Sequence, residues 1–176
     1  SDINDIWTKI QGKLNLTPAD VEKQGDEKTF CDLKDTCKII DELNGLVSIH
    51  AGSKSNTVEN ITNALSYKQA IKEEIVAFVD IYEVGKLSDC DGYKKDVFPN
   101  INRLLPMIIC SDNHNIKDYS LKENLWIKAD TTFNGLKKVI YEPESRIFIG
   151  NVPDILTKVE INKTKYIKSL HLSKIP

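Results

Sequence analysis

Three short apolar runs, each ending in small or polar residues, decide the fold class of this chain. Residues 46–52 read LVSIHAG, residues 81–85 read IYEVG and residues 107–112 read MIICSD. Each run has the length and composition of a buried β-strand, and each is followed by residues that favour a turn. The sequence therefore predicts a strand in each of these three places.

Outside these three strands, the spacing of apolar residues predicts helices and further strands. Apolar residues at helical spacing open the chain, and Thr17 followed by Pro18 is typical of a second helix start. The predicted helices cover residues 2–14, 35–43, 68–78 and 132–141. The predicted strands cover residues 46–50, 80–84, 107–110 and 146–149, and a weaker alternating pattern covers 166–172.

Strands that alternate with helices through short connections indicate an α/β fold with a mainly parallel sheet and flanking helices. In such sheets the chemistry gathers at the carboxyl ends of the strands. His50 ends the first run, Glu83 lies near the end of the second, and Asp112 and His114 follow the third. The sequence therefore predicts that these four residues meet at one edge of the sheet.

The composition excludes several classes of protein. The 176 residues hold 24 Lys and Arg against 26 Asp and Glu, and a net charge of −2 excludes a strongly basic protein that coats nucleic acid. No apolar run reaches the roughly 20 residues of a membrane span, and the polar opening is unlike a secretory leader. The 4 cysteines form no CxxC pair. We therefore expect a reducing, cytoplasmic setting away from membranes, with Cys110 buried at the end of its run.

Residues 111–114, SDNH, place a carboxylate and an imidazole two positions apart just past a strand. Ionised carboxylate and neutral imidazole are ligands of divalent metals, and two residues so close can share one ion or bridge two. The alternative is a plain turn, in which Ser111 and Asp112 bond to local backbone and His114 is exposed. The spacing alone leaves both interpretations open.

The loop after the first strand and the end of the second strand are also candidates. In residues 50–56, HAGSKSN, Gly52 lets the backbone approach a ligand and Lys54 is suited to an anion such as phosphate. The alternative is an ordinary loop, and the glycine spacing of a P-loop is absent. Glu83 has three interpretations of similar weight: a metal ligand, a partner that orients a ligating histidine, or a solvent-facing strand residue.

Residues 125–146 form a dense block of apolar and charged residues. We expect Trp126, Phe133 and Tyr141 to bury one face of a strand–helix unit rather than to stack on nucleic-acid bases. Replacing a buried Phe133 by Ala would then cost roughly 3–5 kcal/mol. Lys128 and Asp130 are either functional or a solvated ion pair.

Together these residues resemble the PHP family, named for polymerase and histidinol phosphatase. The resemblance is closest to PHP domains fused upstream of a large SMC-like ATPase, the TrlF-like proteins. The motifs that carry it are LVSIHAG, IYEV, ICSDNH and the block WIKAD-TTFNGL with YEP, within roughly residues 35–150. The last block is the most specific to the ATPase fusions.

The resemblance implies part of a distorted (β/α)7 barrel that binds divalent metals (Zn, Mn or Fe) at the strand ends and hydrolyses phosphoesters. On the family pattern, His50, Asp112 and His114 match metal ligands, and Glu83 matches a recurring strand-end glutamate. Asp112 and His114 would act in catalysis, and Lys54 would steady the phosphate. The chain departs from the family in holding no His-x-His motif. We therefore expect the metal to be weakly held or absent in this chain alone.

The resemblance also divides the chain. On this resemblance we expect residues 1–34 to be a helical lead-in or insertion, residues 35–152 to be the C-terminal part of a PHP-like domain, and residues 153–176 to lead toward a following ATPase domain. The expected function is a metal-dependent phosphoesterase that acts on a phosphate ester, with nucleic acid as one candidate substrate, and that is coupled to the ATPase of the same full-length chain. The alternative is a non-catalytic regulatory or nucleic-acid-binding module of a DNA-repair-type ATPase.

Overall fold

The fold is known from a computed structural model that describes residues 3–13, 15, 17–24, 32–54, 57, 73–167 and 169–171. The strands are β1 (Ser48–Ala51), β2 (Ile81–Val84), β3 (Met107–Ile109), β4 (Leu125–Ile127) and β5 (Ile147–Ile149). The helices are α1 (Ile3–Lys13), α2 (Pro18–Gln24), α3 (Leu33–Glu42), α4 (Leu87–Gly92), α5 (Phe98–Ile101), α6 (Phe133–Val139), α7 (Pro143–Arg146) and α8 (Asp154–Ile161).

The centre of the fold is a three-stranded parallel sheet with the strand order β1-β2-β3. Its register pairs His50 with Glu83 and Glu83 with Ile108. Because the strands are parallel, all three carboxyl ends lie at the same edge, which we call the carboxyl edge. The predicted α/β class is confirmed. The described strands form an open sheet and do not close into a barrel.

A second, two-stranded sheet pairs β4 with β5 in antiparallel orientation. The strand predicted at 146–149 is therefore present, but it lies outside the parallel sheet. The Trp126 indole nitrogen donates to the carbonyl oxygens of Gly150 and Asn151, at 3.1 and 3.0 Å. Leu125 and Ile149 pack against the main core, so the small sheet shares the core of the large one.

The core contains three aromatic rings that hold the helical segment after β2 against the sheet. This segment begins at Leu87 and runs through α4, a π-helical stretch (Tyr93–Val97) and α5. The buried rings of Tyr82 and Tyr93 have centroids 5.0 Å apart, and Phe98 lies 6.2 Å from each. Tilted aromatic pairs at these distances add to the free energy gained by burying their area.

Most of the predicted helices are found within a few residues of their expected bounds. Thr17 caps α2 as predicted, because its hydroxyl accepts from Asp20 N at 3.1 Å while Thr17 N donates to the Asp20 carboxylate at 3.2 Å. The helix predicted at 68–78 lies partly outside the described residues, and 73–76 are helical.

Several expectations for the second half of the chain were wrong. Phe133 is 53% and Tyr141 82% exposed, because α6 packs through Gly135 and Val139 instead. A Cβ on Gly135 would overlap the Asp130 backbone, which shows how closely this helix approaches the chain before it. Cys110 is exposed, since β3 ends at Ile109 and the chain leaves the core there. The residues described between 166 and 171 contain no strand.

Substitutions of two phenylalanines test whether the aromatic cluster forms the core. Phe98→Ala removes a ring that is 5% exposed and should lower the free energy of unfolding by about 3–5 kcal/mol. Phe133→Ala removes a ring that is 53% exposed, and should cost about 1 kcal/mol or less. Urea titration followed by circular dichroism measures both. Equal losses would show that the aromatic cluster is not the core of the fold.

Candidate functional site

The carboxyl edge is shaped first by the tight turn that follows β1. Gly52 adopts φ +66°, a left-handed conformation that residues with a side chain rarely adopt. Its backbone N–H donates to the Tyr93 hydroxyl oxygen at 3.1 Å. A Cβ at this position would lie 2.5 Å from the Asp89 side chain. The turn is therefore pressed against the start of the helical segment, and only glycine fits there.

Asp89 holds the next residue of the turn. Its carboxylate accepts from the backbone N–H of Ser53 at 3.0 Å and from the Ser53 hydroxyl at 2.7 Å. Desolvation alone would raise the pKa of Asp89, but these hydrogen bonds and the nearby Lys86 outweigh it and lower the pKa. The sequence did not point to Asp89, since it lies 36 positions from Ser53 in a part of the chain without a motif.

The turn directs Lys54 into the protein. Its side chain is only 5% exposed, and its ammonium contacts Glu83 Oε1 and lies 3.6 Å from Asp112 Oδ2. Gly85 makes room for it, because a Cβ there would come within 3.3 Å of Lys54 Cγ. One side chain from the loop after β1 thus reaches the end of β2 and the residues that follow β3.

The environment of Lys54 keeps it charged. Burial acts to lower the pKa of the ammonium, but the hydrogen bond and charge of Glu83, helped by Asp112, outweigh it and raise the pKa. A buried ammonium is tolerated only when it is paired with opposite charge. Lys54, Glu83 and Asp112 are therefore one electrostatic unit, which we call the edge cluster.

Asp112 is the exposed member of the edge cluster. It adopts φ +59°, and its Oδ2 also lies 3.8 Å from the ammonium of Lys122. The pKa of Asp112 is lowered, first by the charge of Lys54, then by that of Lys122, with a smaller effect from His114. The carboxylate is consequently ionised at neutral pH and lies at the solvent side of the edge.

The two histidines occupy different positions. His50 is half-buried in β1 and pairs in register with Glu83, so both lie on the same face of the sheet. His114 is exposed in the loop that follows Asp112. The structure therefore brings His50, Glu83 and Asp112 to one edge with Lys54, and places His114 toward its solvent side.

These residues only partly fit a metal site. Imidazole and carboxylate are suitable donors for a divalent cation. However, among the residues that the structure describes, no three His, Cys, Asp or Glu side chains form a group that could hold a metal ion. The position between Glu83 and Asp112 is taken by the Lys54 ammonium.

The pairing of Lys54 with Glu83 and Asp112 makes Lys54 less suitable as the anion site that the sequence predicted. Two carboxylates already surround this ammonium, so a phosphate reaching it would meet their negative charge. Lys122 is more accessible, with a side chain 39% exposed. Among the described residues at this edge, an incoming anion therefore meets the Lys122 ammonium, on the outer side of Asp112, before it meets Lys54.

A cavity of about 530 Å³ opens beside the edge, between the end of β3 and β4. Its lining residues are Ile109, Cys110, Ser111, Tyr119, Leu121, Glu123, Asn124, Leu125 and Trp126. The pKa of the Cys110 thiol is raised, first by partial desolvation and then by the charge of Glu83. The cavity thus adjoins the edge cluster through Cys110 and Ser111.

No family model, curated protein or solved structure matches this chain. None of the helices in the described part of the chain has the length and apolarity needed to cross a membrane. The functional interpretation therefore depends on the geometry of the carboxyl edge and on the sequence motifs placed there.

Gly52 and Gly92 provide a matched test of the turn. Gly52→Ala adds a methyl group to a left-handed residue against Asp89, and should destabilise the protein by about 1–3 kcal/mol. Gly92→Ala adds the same group at a helical position with nothing within 4 Å, and should be neutral or stabilising. Thermal melts distinguish them, and a harmless Gly52→Ala would refute the strained turn.

The lowered pKa of Asp89 predicts an acid-sensitive contribution to stability. This contribution is fully present above the unfolded-state pKa of about 3.9 and is lost as the pH falls through the lower folded-state pKa. Asp89→Asn should therefore be less stable at pH 7 and should lose less stability on acidification. Urea titrations from neutral pH to about pH 2 measure this. Asp91→Asn, at an exposed position of the same helix, is the control. If both variants lose the same free energy of unfolding on acidification, Asp89 does not have this role.

Proposed function

We propose that the carboxyl edge is part of the active site of a metal-dependent phosphoesterase of the PHP type. The observation that carries this proposal is the parallel register of His50 with Glu83, together with the contact of Lys54 with both Glu83 and Asp112, because the two put all of these side chains at one edge of the sheet. Parallel α/β folds build their active sites at this edge. In the proposed full-length fold, the open sheet is the C-terminal part of a distorted (β/α)7 barrel.

The proposed metal ligands are His50, Glu83 and Asp112, with His114 from the outer side. A divalent ion such as Zn, Mn or Fe would supply a water of lowered pKa and would neutralise charge on the phosphoryl oxygens. Asp112 and His114 lie nearest to solvent, where a substrate arrives, and are the proposed catalytic residues. These four residues alone are an incomplete ligand set, so the proposed working site needs further donors.

The proposed substrate is a phosphate ester, with nucleic acid as one candidate. Among the described residues, the ammonium groups of Lys54 and Lys122 lie 3.6 and 3.8 Å from Asp112 Oδ2. The accessible Lys122 is proposed to meet the phosphate first, and Lys54 to steady it from the inner side. The adjoining cavity, which has Tyr119 and Trp126 in its wall, offers space for the rest of the ester. An ATPase domain in the same full-length chain is the proposed partner, on the strength of the motif between Trp126 and Pro143.

The proposed setting is a reducing, cytoplasmic one. Cys37, Cys90 and Cys110 are all free thiols, as is typical of proteins in reducing compartments, where disulfides are rare. Burial raises the pKa of Cys37 and Cys90, which keeps both in the unreactive thiol form.

A second candidate function is a non-catalytic module that retains the fold beside an ATPase. The specific observation that favours it is the pairing of Lys54 with Glu83 and Asp112, which neutralises the charge of two proposed ligands. A module of this kind would bind a nucleic acid or regulate the ATPase without hydrolysing a phosphoester.

Two aspartates in one loop separate these functions in the protein at its natural length. Asp112→Ala should lower metal-dependent phosphoesterase activity by about 100-fold or more, because it removes a ligand and a catalytic group. Asp118→Ala, an exposed aspartate bonded to Asn115, is the matched control and should keep full activity. Hydrolysis of bis(p-nitrophenyl) phosphate with Mn²⁺ measures both. Full activity after Asp112→Ala, or no activity in the unmodified protein, would reject the phosphoesterase.

The 176-residue chain alone should show weak metal binding and negligible turnover. Metal affinity depends on the number of ligands and on their support, and both are limited at this edge. Calorimetric titration with Zn²⁺ and Mn²⁺ checks this expectation. Tight, stoichiometric binding of several ions would show that the chain carries a complete site.

A further inference from the structure

A second cavity, of about 380 Å³, lies between the helical segment after β2 and the second sheet. One wall comes from α4 and the start of the π-helical stretch, and another comes from α7 and β5. Leu105 and Met107 line it where β3 begins, whereas the edge cluster lies past the end of β3. The cavity is therefore separate from the candidate site, and its volume is within the roughly 300–1,000 Å³ of small-molecule sites.

The helical segment keeps this cavity open. Its residues that line the cavity follow helical spacing and share one face: Leu87, Cys90, Asp91 and Lys94. On a different face of the segment, Asp89 and Tyr93 accept hydrogen bonds from the backbone of the turn after β1. These hydrogen bonds hold the segment to the first sheet, so that it does not move across to fill the cavity. The space is consequently preformed, as is usual for small-molecule sites.

The inside of the cavity is apolar. Cys90, Leu105 and Met107 are buried core residues that line it. Nearer to solvent lie three apolar residues that are partly exposed, Leu87, Leu104 and Phe148. Burial raises the pKa of the Cys90 thiol, so this group is neutral. An aromatic or aliphatic group of a ligand would lose its contact with water against these side chains, and this burial favours binding.

The charged groups that line the cavity leave one carboxylate in excess. Asp91 and Lys94 lie one helical turn apart, and their charges shift the pKa of Cys90 in opposite directions. Glu144 adds a second carboxylate from α7. All three residues are exposed, so these charges lie at the rim. Two carboxylates against one ammonium attract a cationic ligand and repel an anionic one.

We propose that this cavity binds a small organic amine, with its apolar body against Cys90, Leu105 and Met107 and its ammonium at the rim beside Glu144. An alkyl amine with a pKa near that of lysine, about 10.4, is protonated at neutral pH and carries the charge that the rim favours. A carboxylate ligand of similar size meets an excess of like charge there. This proposal is independent of the phosphoesterase, because it uses no residue of the edge cluster.

Met107 provides a reporter inside the cavity, because it is the single methionine of the 176-residue chain. The chain labelled with methyl-¹³C methionine therefore gives one methyl signal, and a bound aromatic ring shifts it. The probes are phenethylamine, its neutral analogue 2-phenylethanol and the anion phenylacetate. Phenethylamine should bind about 3-fold more tightly than 2-phenylethanol and at least about 5-fold more tightly than phenylacetate, as expected for a charge pair near solvent. No shift of the Met107 signal, or equal affinities for the three probes, would overturn the proposal.

Two leucines locate the binding site. Leu104→Trp adds bulk at the rim and should weaken phenethylamine binding by at least about 5-fold. Leu121→Trp makes the same change at an exposed leucine that lines the cavity beside the carboxyl edge, and should leave the affinity unchanged. Both positions are exposed, so the two variants are expected to fold. Normal binding in Leu104→Trp would reject this cavity as the site.

Two glutamates test the role of the rim charge. Glu144→Gln should abolish the preference for phenethylamine over 2-phenylethanol while leaving the binding of 2-phenylethanol unchanged. Glu160→Gln, at an exposed position of α8, is the control and should keep the preference. If Glu144→Gln keeps the full preference, Glu144 does not select the amine and the proposal is rejected.

Discussion

The burial of one ammonium between two carboxylates is the constraint on which the carboxyl edge depends. Lys54 comes from the loop after β1, Glu83 from β2 and Asp112 from the residues after β3. A buried lysine without partners would have to lose its charge or unfold its surroundings. The pairing therefore ties the ends of all three strands together and fixes which residues face one another there.

The local structure around this ion pair follows from the need to deliver Lys54 to it. Gly52 permits the left-handed turn, Asp89 anchors Ser53, and Gly85 leaves space for the lysine stem. Tyr93 links the turn to the aromatic core through its hydroxyl group. The helical segment that packs on the sheet thus also supports the carboxyl edge. A substitution that disturbs the aromatic core is therefore expected to disturb the geometry of the candidate site.

The sequence could predict the strands and their common edge because the apolar runs and the residues that end them are local signals. It could also predict that His50, Glu83 and Asp112 lie at that edge, since parallel strands leave little choice. It could not predict that Lys54 is buried against Glu83 or that Asp89 supports the turn, because these contacts join residues 29 and 36 positions apart without a shared motif. Phe133 was misjudged for a similar reason: Gly135 and Val139 make the contact, and hydrophobicity alone does not identify which face packs.

A double-mutant cycle between Lys54 and Glu83 measures whether this buried ion pair organises the carboxyl edge. The free energies of unfolding of the wild-type chain, Lys54→Met, Glu83→Gln and the double variant give the coupling between the two side chains. If the buried pair organises the edge, each single variant is strongly destabilised, the double variant is less so than their sum, and the coupling is about 2 kcal/mol or more. A coupling below about 0.5 kcal/mol, the value of an exposed surface pair, would mean that the Lys54–Glu83 pair does not organise the edge.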